Sequence, residues 1–381
     1  MRDAVIVAAV RTPIGKRNGG LAGVHPVDLS ADALNALAQR AGIDPVEVDD
    51  VIWGCVGQVG EQAFDIARNA VLAADWPDTI PGVSVDRQCG SSQQALHFAA
   101  AGLVAGHYNV VVAGGVESMS RVPMSSSAAG ADPHGPRFAR RYPTAPHQGV
   151  GAEMIVERWG FNRTQLDEFA AGSHTKAAHA QGSGAFDAEV TPIATAGGAT
   201  VRHDEGIRPE STVETLAALR PAFKPEGGTV TAGNSSQISD GAAALLLSTS
   251  ECAAKLGLTP LARVHTAVVA ASDPVIMLTA PIPATQKALR MSGLSLDDIG
   301  AYEVNEAFAS VPLAWLSDTG ARAERLNPRG GAIALGHPLG GSGARIATTL
   351  IHHMRDNGIR YGLQTMCEGG GQANATIFEL L

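Results

Sequence analysis

A chain of 381 residues is longer than one domain usually runs, so two or three domains are expected. Apolar residues make up 45% and charged residues 17%, too apolar for a disordered chain and enough for a substantial core. A formal net charge of −9 argues against a nucleic-acid surface, and no stretch reaches the roughly 18 continuous apolar residues of a membrane span.

The opening MRDAVIVAAVRTP reads as a charged end and a short strand over residues 5–10, not as a signal peptide, so a cytoplasmic location is expected. Further apolar runs predict strands at 51–56, 83–86 and 110–113, separated by alanine-rich helices over 28–41 and 93–105. From about Ser120 to Gly233 the chain turns rich in Pro, Gly, His and Arg, with short amphipathic helices such as 164–181. It reads as a region inserted over a core, where binding residues often sit. Strand patterning returns at 243–248 and continues through 262–270, 301–304, 363–367 and 375–380. Alternating strand and helix predict an α/β fold with a mostly parallel, layered sheet.

Two stretches repeat one plan. Cys89-Gly-Ser-Ser leads into the helix QQALHFAAAGLVAG and the strand VVVAGG; His337-Pro-Leu-Gly-Gly-Ser-Gly leads into ARIATTLIHHMRDNG and the strand GLQTMCEGGG. If the halves pack face to face, Cys89 and His337 meet at corresponding helix starts near a pseudo-twofold axis.

The four cysteines are too widely spaced for CxxC metal pairs, and no metal site is expected. Cys55 and Cys252 lie in or beside apolar stretches and read as buried packing residues. Cys89 follows a strand and opens a helix, where unpaired N–H groups favour a thiolate and small neighbours admit a substrate carbonyl. A plain helix-cap loop fits Cys89 about equally well. His337, flanked by Pro338 and glycines, is suited to take a proton and to bind a substrate oxygen, against the plainer reading of a loop-capping histidine. Cys367 ends a strand and opens CEGGG, where a thiol can transfer protons and glycine N–H groups can bind an oxyanion. Asn305-Glu306-Ala307-Phe308 follows the strand AYEV, so its polar groups emerge at a sheet end; otherwise it is an ordinary helix start with Glu306 in the first turn.

In this order QCGSSQQA, NEAF, GGAIALGHPLGGSGAR and CEGGG closely resemble the thiolase family. The resemblance extends to VIVAAVRTPIGKRNG, GGVESMS, LRPAF and TAGNSSQISDGAAA, and so covers essentially the whole chain. It implies a duplicated core of two mixed five-stranded sheets in a layered α-β-α-β-α arrangement. The halves are expected at 1–119 with 241–260 and at 261–381, with an inserted loop domain at 120–240 for substrate binding and oligomerisation. By the same resemblance Cys89 is the acylated nucleophile, His337 activates it, and Cys367 handles the α-proton of acetyl-CoA. Asn305 holds a water that forms one oxyanion hole with His337, and the N–H groups of Cys89 and Gly369 form the other. Ser236, His147, Arg220 and Phe308 are the expected coenzyme A contacts, with Arg220 suited to a phosphate. No permanently bound cofactor is implied; acyl-CoA and CoA are the partners, in a homodimer or homotetramer, with the segment around Arg121 to Arg141 as a tetramerisation loop.

Three residues depart from the familiar pattern. Ser92 stands where many thiolases have glycine, Gln148 where methionine is more familiar, and Glu368 places a carboxylate beside Cys367. They point to degradative thiolases of lipid or steroid side-chain breakdown rather than short-chain biosynthetic acetoacetyl-CoA thiolases. The rivals are a ketoacyl synthase, disfavoured by Cys367, and a non-catalytic acyl-CoA or sterol carrier, which would lack Cys89, His337 or Cys367.

Overall fold

The computed structural model describes residues 2–144 and 146–381. Met1 and Ala145, which fall in the expected segments 1–119 and 120–240, lie outside the described residues. In chain order the strands are β1 (Val5–Arg11), β2 (Gly15–Lys16), β3 (Asp50–Gly54), β4 (Gly82–Val85), β5 (Val110–Ser118), β6 (Ile193–Ala194), β7 (Thr200–Val201), β8 (Ser239–Ser248), β9 (Ala262–Ala271), β10 (Ala301–Val304), β11 (Tyr361–Glu368) and β12 (Gln372–Leu380). Each predicted strand is present; β5, β8, β11 and β12 run three to five residues longer than the apolar run alone suggests, and β3 ends at Gly54 instead of at residue 56.

The duplication is visible in the pairing. In the first half β3 lies parallel to β4 and β5, then β5 pairs antiparallel with β8, and β8 with β1. In the second half β10 lies parallel to β11, then β11 pairs antiparallel with β12, and β12 with β9. The counterpart of β4 there is a single bridge between Tyr302 and Leu326.

The expected pair of separate five-stranded sheets is not what forms. One ten-stranded mixed sheet runs β10-β11-β12-β9-β1-β8-β5-β3-β4, with β2 on β8. The halves join where Val5 and Ile6 pair with Arg263 and Ala262. That short junction satisfies backbone groups that two buried edges would leave unpaired.

Two central helices, Ser91–Ala105 and Ser342–Asn357, pack on each other. The second touches β1, β5 and β8 of one half and β10, β11 and β12 of the other, so it lies between the half-sheets. Its small residues Ala344 and Ala347 join Ala95 and Ala99 in the shared core. At Gly343 a Cβ would lie 2.3 Å from the Gln93 backbone N, so only glycine permits this approach. Helices Pro26–Ala41 and Ile66–Ala73 cover the outer face of one half, and Pro281–Ser292 with Ser310–Thr319 cover the other.

Within 120–240, helices Gln148–Trp159 and Arg163–Gly182 are separated by a turn at Gly160 (φ 70°) and a capping box from Asn162 and Gln165. They bury Ala152, Ile155 and Leu166 against Phe308, Ile333 and Cys367. This region therefore walls the loop end of the second half, where the candidate residues emerge.

Candidate active site

Cys89 sits between β4 and the first central helix, and the chain is forced into a sharp turn to place it there. Gln88, just before it, is left-handed at φ 48°, which costs a non-glycine residue of order 1 kcal/mol or more. The turn is held by the Gln88 N–H donating to Asp86 Oδ1 at 2.7 Å and by Ser91 Oγ–H donating to the Gln88 carbonyl at 2.6 Å. Cys89 is left half-buried, open enough to be reached.

The end of β11 closes on this turn. Gly369 packs on the Gln88 side chain, and its N–H, with that of Cys89 itself, lies close enough to the Cys89 sulfur to favour the thiolate. Burial pushes the Cys89 thiol up to about 12, with the Glu368 carboxyl adding to the rise and the two N–H groups opposing it. Cys367 is buried and close enough to feel Cys89; burial, then Cys89 and Glu368, hold its thiol well above the usual range.

His337 follows the short helix Ala332–Leu335, in the loop that opens the second central helix. Ser342 Oγ–H donates to the Pro338 carbonyl at 2.7 Å, so the 2.6 Å contact between Ser342 Oγ and His337 requires a donating Nδ1–H. Nε2 therefore keeps its lone pair, 3.5 Å from Asn305 Nδ2. Burial, helped by the Arg345 charge, lowers the imidazole to about 3, so it is neutral at physiological pH. Asn305 is positioned by its N–H to the Thr365 carbonyl at 3.1 Å, beside β11, the strand that carries Cys367.

The two helix starts are stitched together. Ser92 Oγ accepts from the Ala344 N–H at 2.9 Å, and a Cβ on Gly115 would meet both the Gly340 carbonyl (2.3 Å) and Ser92 Cβ (2.9 Å). The His337 loop thus lies directly against the first turn after Cys89, as the repeat suggested.

Models of the "Thiolase, N-terminal domain" and "Thiolase, C-terminal domain" match residues 4–251 and 258–380. The chain belongs to the thiolase family. It is 48% identical over 390 residues to the steroid 3-ketoacyl-CoA thiolase FadA6 of Mycobacterium tuberculosis, covering all of this chain and 95% of that protein. It is 49% identical over 389 residues to a 3-ketoacyl-CoA thiolase of Pectobacterium carotovorum, covering all of both. The crystal structure of the Bacillus anthracis acetyl-CoA acetyltransferase superposes with a TM-score of 0.91 at 40% identity, over 100% of this chain and 99% of that one. This thiolase is an acyl-CoA C-acyltransferase working by reversible Claisen chemistry.

Of the expected CoA contacts, three lie together. The Ser236 N–H donates to the Ala307 carbonyl at 2.9 Å, next to Phe308; Phe308 packs edge-on to Phe223 (5.8 Å), and Phe223 packs on His147 (5.6 Å). Arg220 is exposed and has no ion pair among the described residues. Gln148 opens helix Gln148–Trp159 and reaches Met124 Sδ at 3.7 Å.

Several residues of this thiolase's site escaped the sequence reading. Glu306 is not in a helix's first turn: that helix starts at Ser310, and Glu306 is buried, accepting from Ser173 Oγ (2.6 Å), Asn327 Nδ2 (2.8 Å) and the Ile333 N–H (3.2 Å). Glu117, in GGVES, accepts from Val56 and Gly57 N–H (both 3.0 Å), Gln62 Nε2 (2.6 Å) and Gly340 N–H (2.8 Å), tying the end of β3 to the His337 loop. Phe223 and Ser342 also went unread; the buried carboxylate in an apolar strand was the one visible signal. Cys55 is a buried packing residue, as read; Cys252 is only partly so, on helix Ser250–Lys255. Among the described residues no group of three or more His, Cys, Asp or Glu is placed to hold a metal ion, and no helix is long and apolar enough to cross a membrane.

Proposed function

We propose that Cys89 carries the acyl group, with His337 as its base, Cys367 as the α-proton acid or base, and two oxyanion holes. In the thiolytic direction His337 Nε2 takes the thiol proton while Cys89 sulfur attacks the keto carbon of a 3-ketoacyl-CoA. Cleavage of the Cα–Cβ bond gives the acetyl-CoA enolate, which Cys367 protonates. CoA thiol, deprotonated through Cys367, then takes the acyl group from Cys89. One oxyanion hole is the N–H pair of Cys89 and Gly369; the other is His337 with a water on Asn305, whose buried Oδ1 has no hydrogen-bond partner among the described residues. The observation that carries this reading is the meeting of three loops at Cys89: Gly369 packs on Gln88 just before it, and the His337 loop, through Gly340 and Ala344, packs on Ser92 just after it.

Coenzyme A is assigned to the rim made by Ser236, His147 and Phe308, with exposed Arg220 free to meet a phosphate. The region 120–240 is read as the inserted binding domain between halves at 1–119 with 241–260 and 261–381. The acyl substrate is assigned to degradative metabolism, of fatty-acid or steroid side-chain type, on the strength of the relatives' names and of Gln148 beside Met124. A homo-oligomer fits the free edge of β4, flanked by exposed Phe64, Val83 and Phe98, and the exposed segment after Arg121 suits a tetramer contact. Four free cysteines, two of them needed as thiols, suit a reducing cytoplasm.

Two experiments test this. Cys367→Ala is expected to lose exchange of the acetyl-CoA α-protons while Cys89 still accepts an acyl group; unchanged exchange rejects the role. Turnover on acetoacetyl-CoA, a long-chain ketoacyl-CoA and a steroid side-chain ketoacyl-CoA is expected to favour one of the longer two, and preference for acetoacetyl-CoA contradicts the degradative assignment.

A further inference from the structure

Glu368 lies at the end of β11, fully buried, and neither of its carboxyl oxygens has a well-formed hydrogen bond among the described residues, the Asn374 backbone N–H being its one nearby donor. A carboxylate so placed is costly, because it gives up water and gains only the nearby Asn374 N–H and the Arg87 charge in return. Its position is specific. A Cβ on Gly90 would lie 1.9 Å from Glu368 Oε1 and 2.5 Å from its Cδ, so the carboxyl rests on the residue directly after the nucleophile. The same point is 2.9 Å from Asn374 Oδ1, which is also buried and has no hydrogen-bond partner among the described residues. The Asn374 amide cannot turn to help, since its Nδ2 is held by Gln94 Oε1 (3.1 Å) and His97 Nδ1 (3.0 Å). Two acceptors thus face one small space, and a proton on Glu368 satisfies both.

We propose that Glu368 is a positioning residue for Cys89 that works as an uncharged acid. Sharing its proton with Asn374, it supports the Cys89–Gly90 turn; as a carboxylate it opposes the thiolate on which acyl transfer depends. The inference rests on Cys89 being the nucleophile.

The surroundings support the neutral form. Burial raises Glu368 to about 8, even though Arg87, from the turn before Cys89, and the Asn374 backbone N–H both draw it down. Arg87 spends Nη1 on Gln372 Oε1 at 3.0 Å, on the strand paired with β11. From the first central helix the facing groups are Gln94 and His97, and burial lowers His97 to about 3, so it carries no charge. Cys367 precedes Glu368 on β11, and Cys89 stands across the turn; the Glu368 charge raises both thiols. Ionisation of Glu368 therefore adds a like charge beside a forming thiolate and disfavours it.

The test compares wild type, Glu368→Gln and Glu368→Ala in kcat/KM and in the rate of Cys89 alkylation by iodoacetamide, from about pH 6 to about pH 10. In wild type kcat/KM is expected to fall through about pH 8. Glu368→Gln keeps a neutral donor and is expected to lose that fall, with Cys89 alkylated several-fold faster than wild type at about pH 9. Glu368→Ala is expected to lower kcat at every pH, with the Gln variant restoring part of it. Superimposable wild-type and Gln profiles overturn the proposal. Should the Gln variant not fold, the wild-type alkylation curve decides: a plateau near pH 8 supports the proposal and a single smooth rise overturns it. Absence of any acyl-Cys89 in wild type overturns the nucleophile assignment and this proposal with it, whereas acylation with an unmoved profile overturns this proposal alone.

Discussion

At Cys89 the thiol is pushed up to about 12 and at His337 the imidazole is lowered to about 3, in both cases chiefly by burial. The resting pair is therefore a neutral thiol and a neutral imidazole rather than an ion pair. On the roles proposed above, proton transfer accompanies attack, as the two proposed oxyanion holes begin to be filled. That places weight on the His337 tautomer, which Ser342 sets through Nδ1. Ser342→Ala removes this partner, and a lost buried hydrogen bond of ~1–2 kcal/mol corresponds to roughly a tenfold drop in kcat. KM should stay nearly unmoved, and steady-state kinetics on acetoacetyl-CoA checks the split. An equal rise in KM with kcat intact would show that Ser342 acts on binding instead.

At the scale of elements, the site depends on how closely the two central helices start. Gly343→Ala would place a Cβ 2.3 Å from a backbone nitrogen that cannot swing aside, so overpacking of ~1–3 kcal/mol is expected. Denaturant unfolding should show that loss, and acylation of Cys89 should slow with it; wild-type stability would contradict so tight a crossing. The elements themselves were legible because apolar runs and alanine-rich helices alternate, and the loop–helix–strand repeat pointed to Cys89 and His337 facing one another. The junction of β1 with β9 was not legible. It rests on two residue pairs, Val5 with Arg263 and Ile6 with Ala262, that leave no pattern in either strand. Glu117 and Glu306 were hidden for a different reason. Their donors come from residues far along the chain, so neither spacing nor periodicity records them. The left-handed Gln88 was hidden likewise, since a turn set by Asp86 and Ser91 needs no glycine to announce it.

Over the whole molecule, buried titratable groups set the pH at which the fold is most stable. Burial lowers His337 and His97 to about 3 and His174 to about 4, from 6.5. The unfolded chain binds those protons more readily, so stability is lost as pH falls below about 6.5. Burial raises Glu303 and Glu368 to about 8 from 4.5, so here the folded chain holds protons that the unfolded chain has released. Their contribution is lost as pH rises from about 4.5 towards 8. With His353 also lowered to about 4, the two trends leave a maximum a little above pH 6, and calorimetry should give a higher Tm at about pH 6 than at about pH 8. A Tm still climbing at pH 8 would contradict this balance.

All of these readings meet at one sulfur. The direct measurement is the intact mass of the enzyme after mixing with acetyl-CoA, followed by mapping of the modified peptide. An acetyl increment on Cys89 in wild type, and none in Cys89→Ser, is the predicted result. Full labelling of Cys89→Ser at another cysteine would contradict the account.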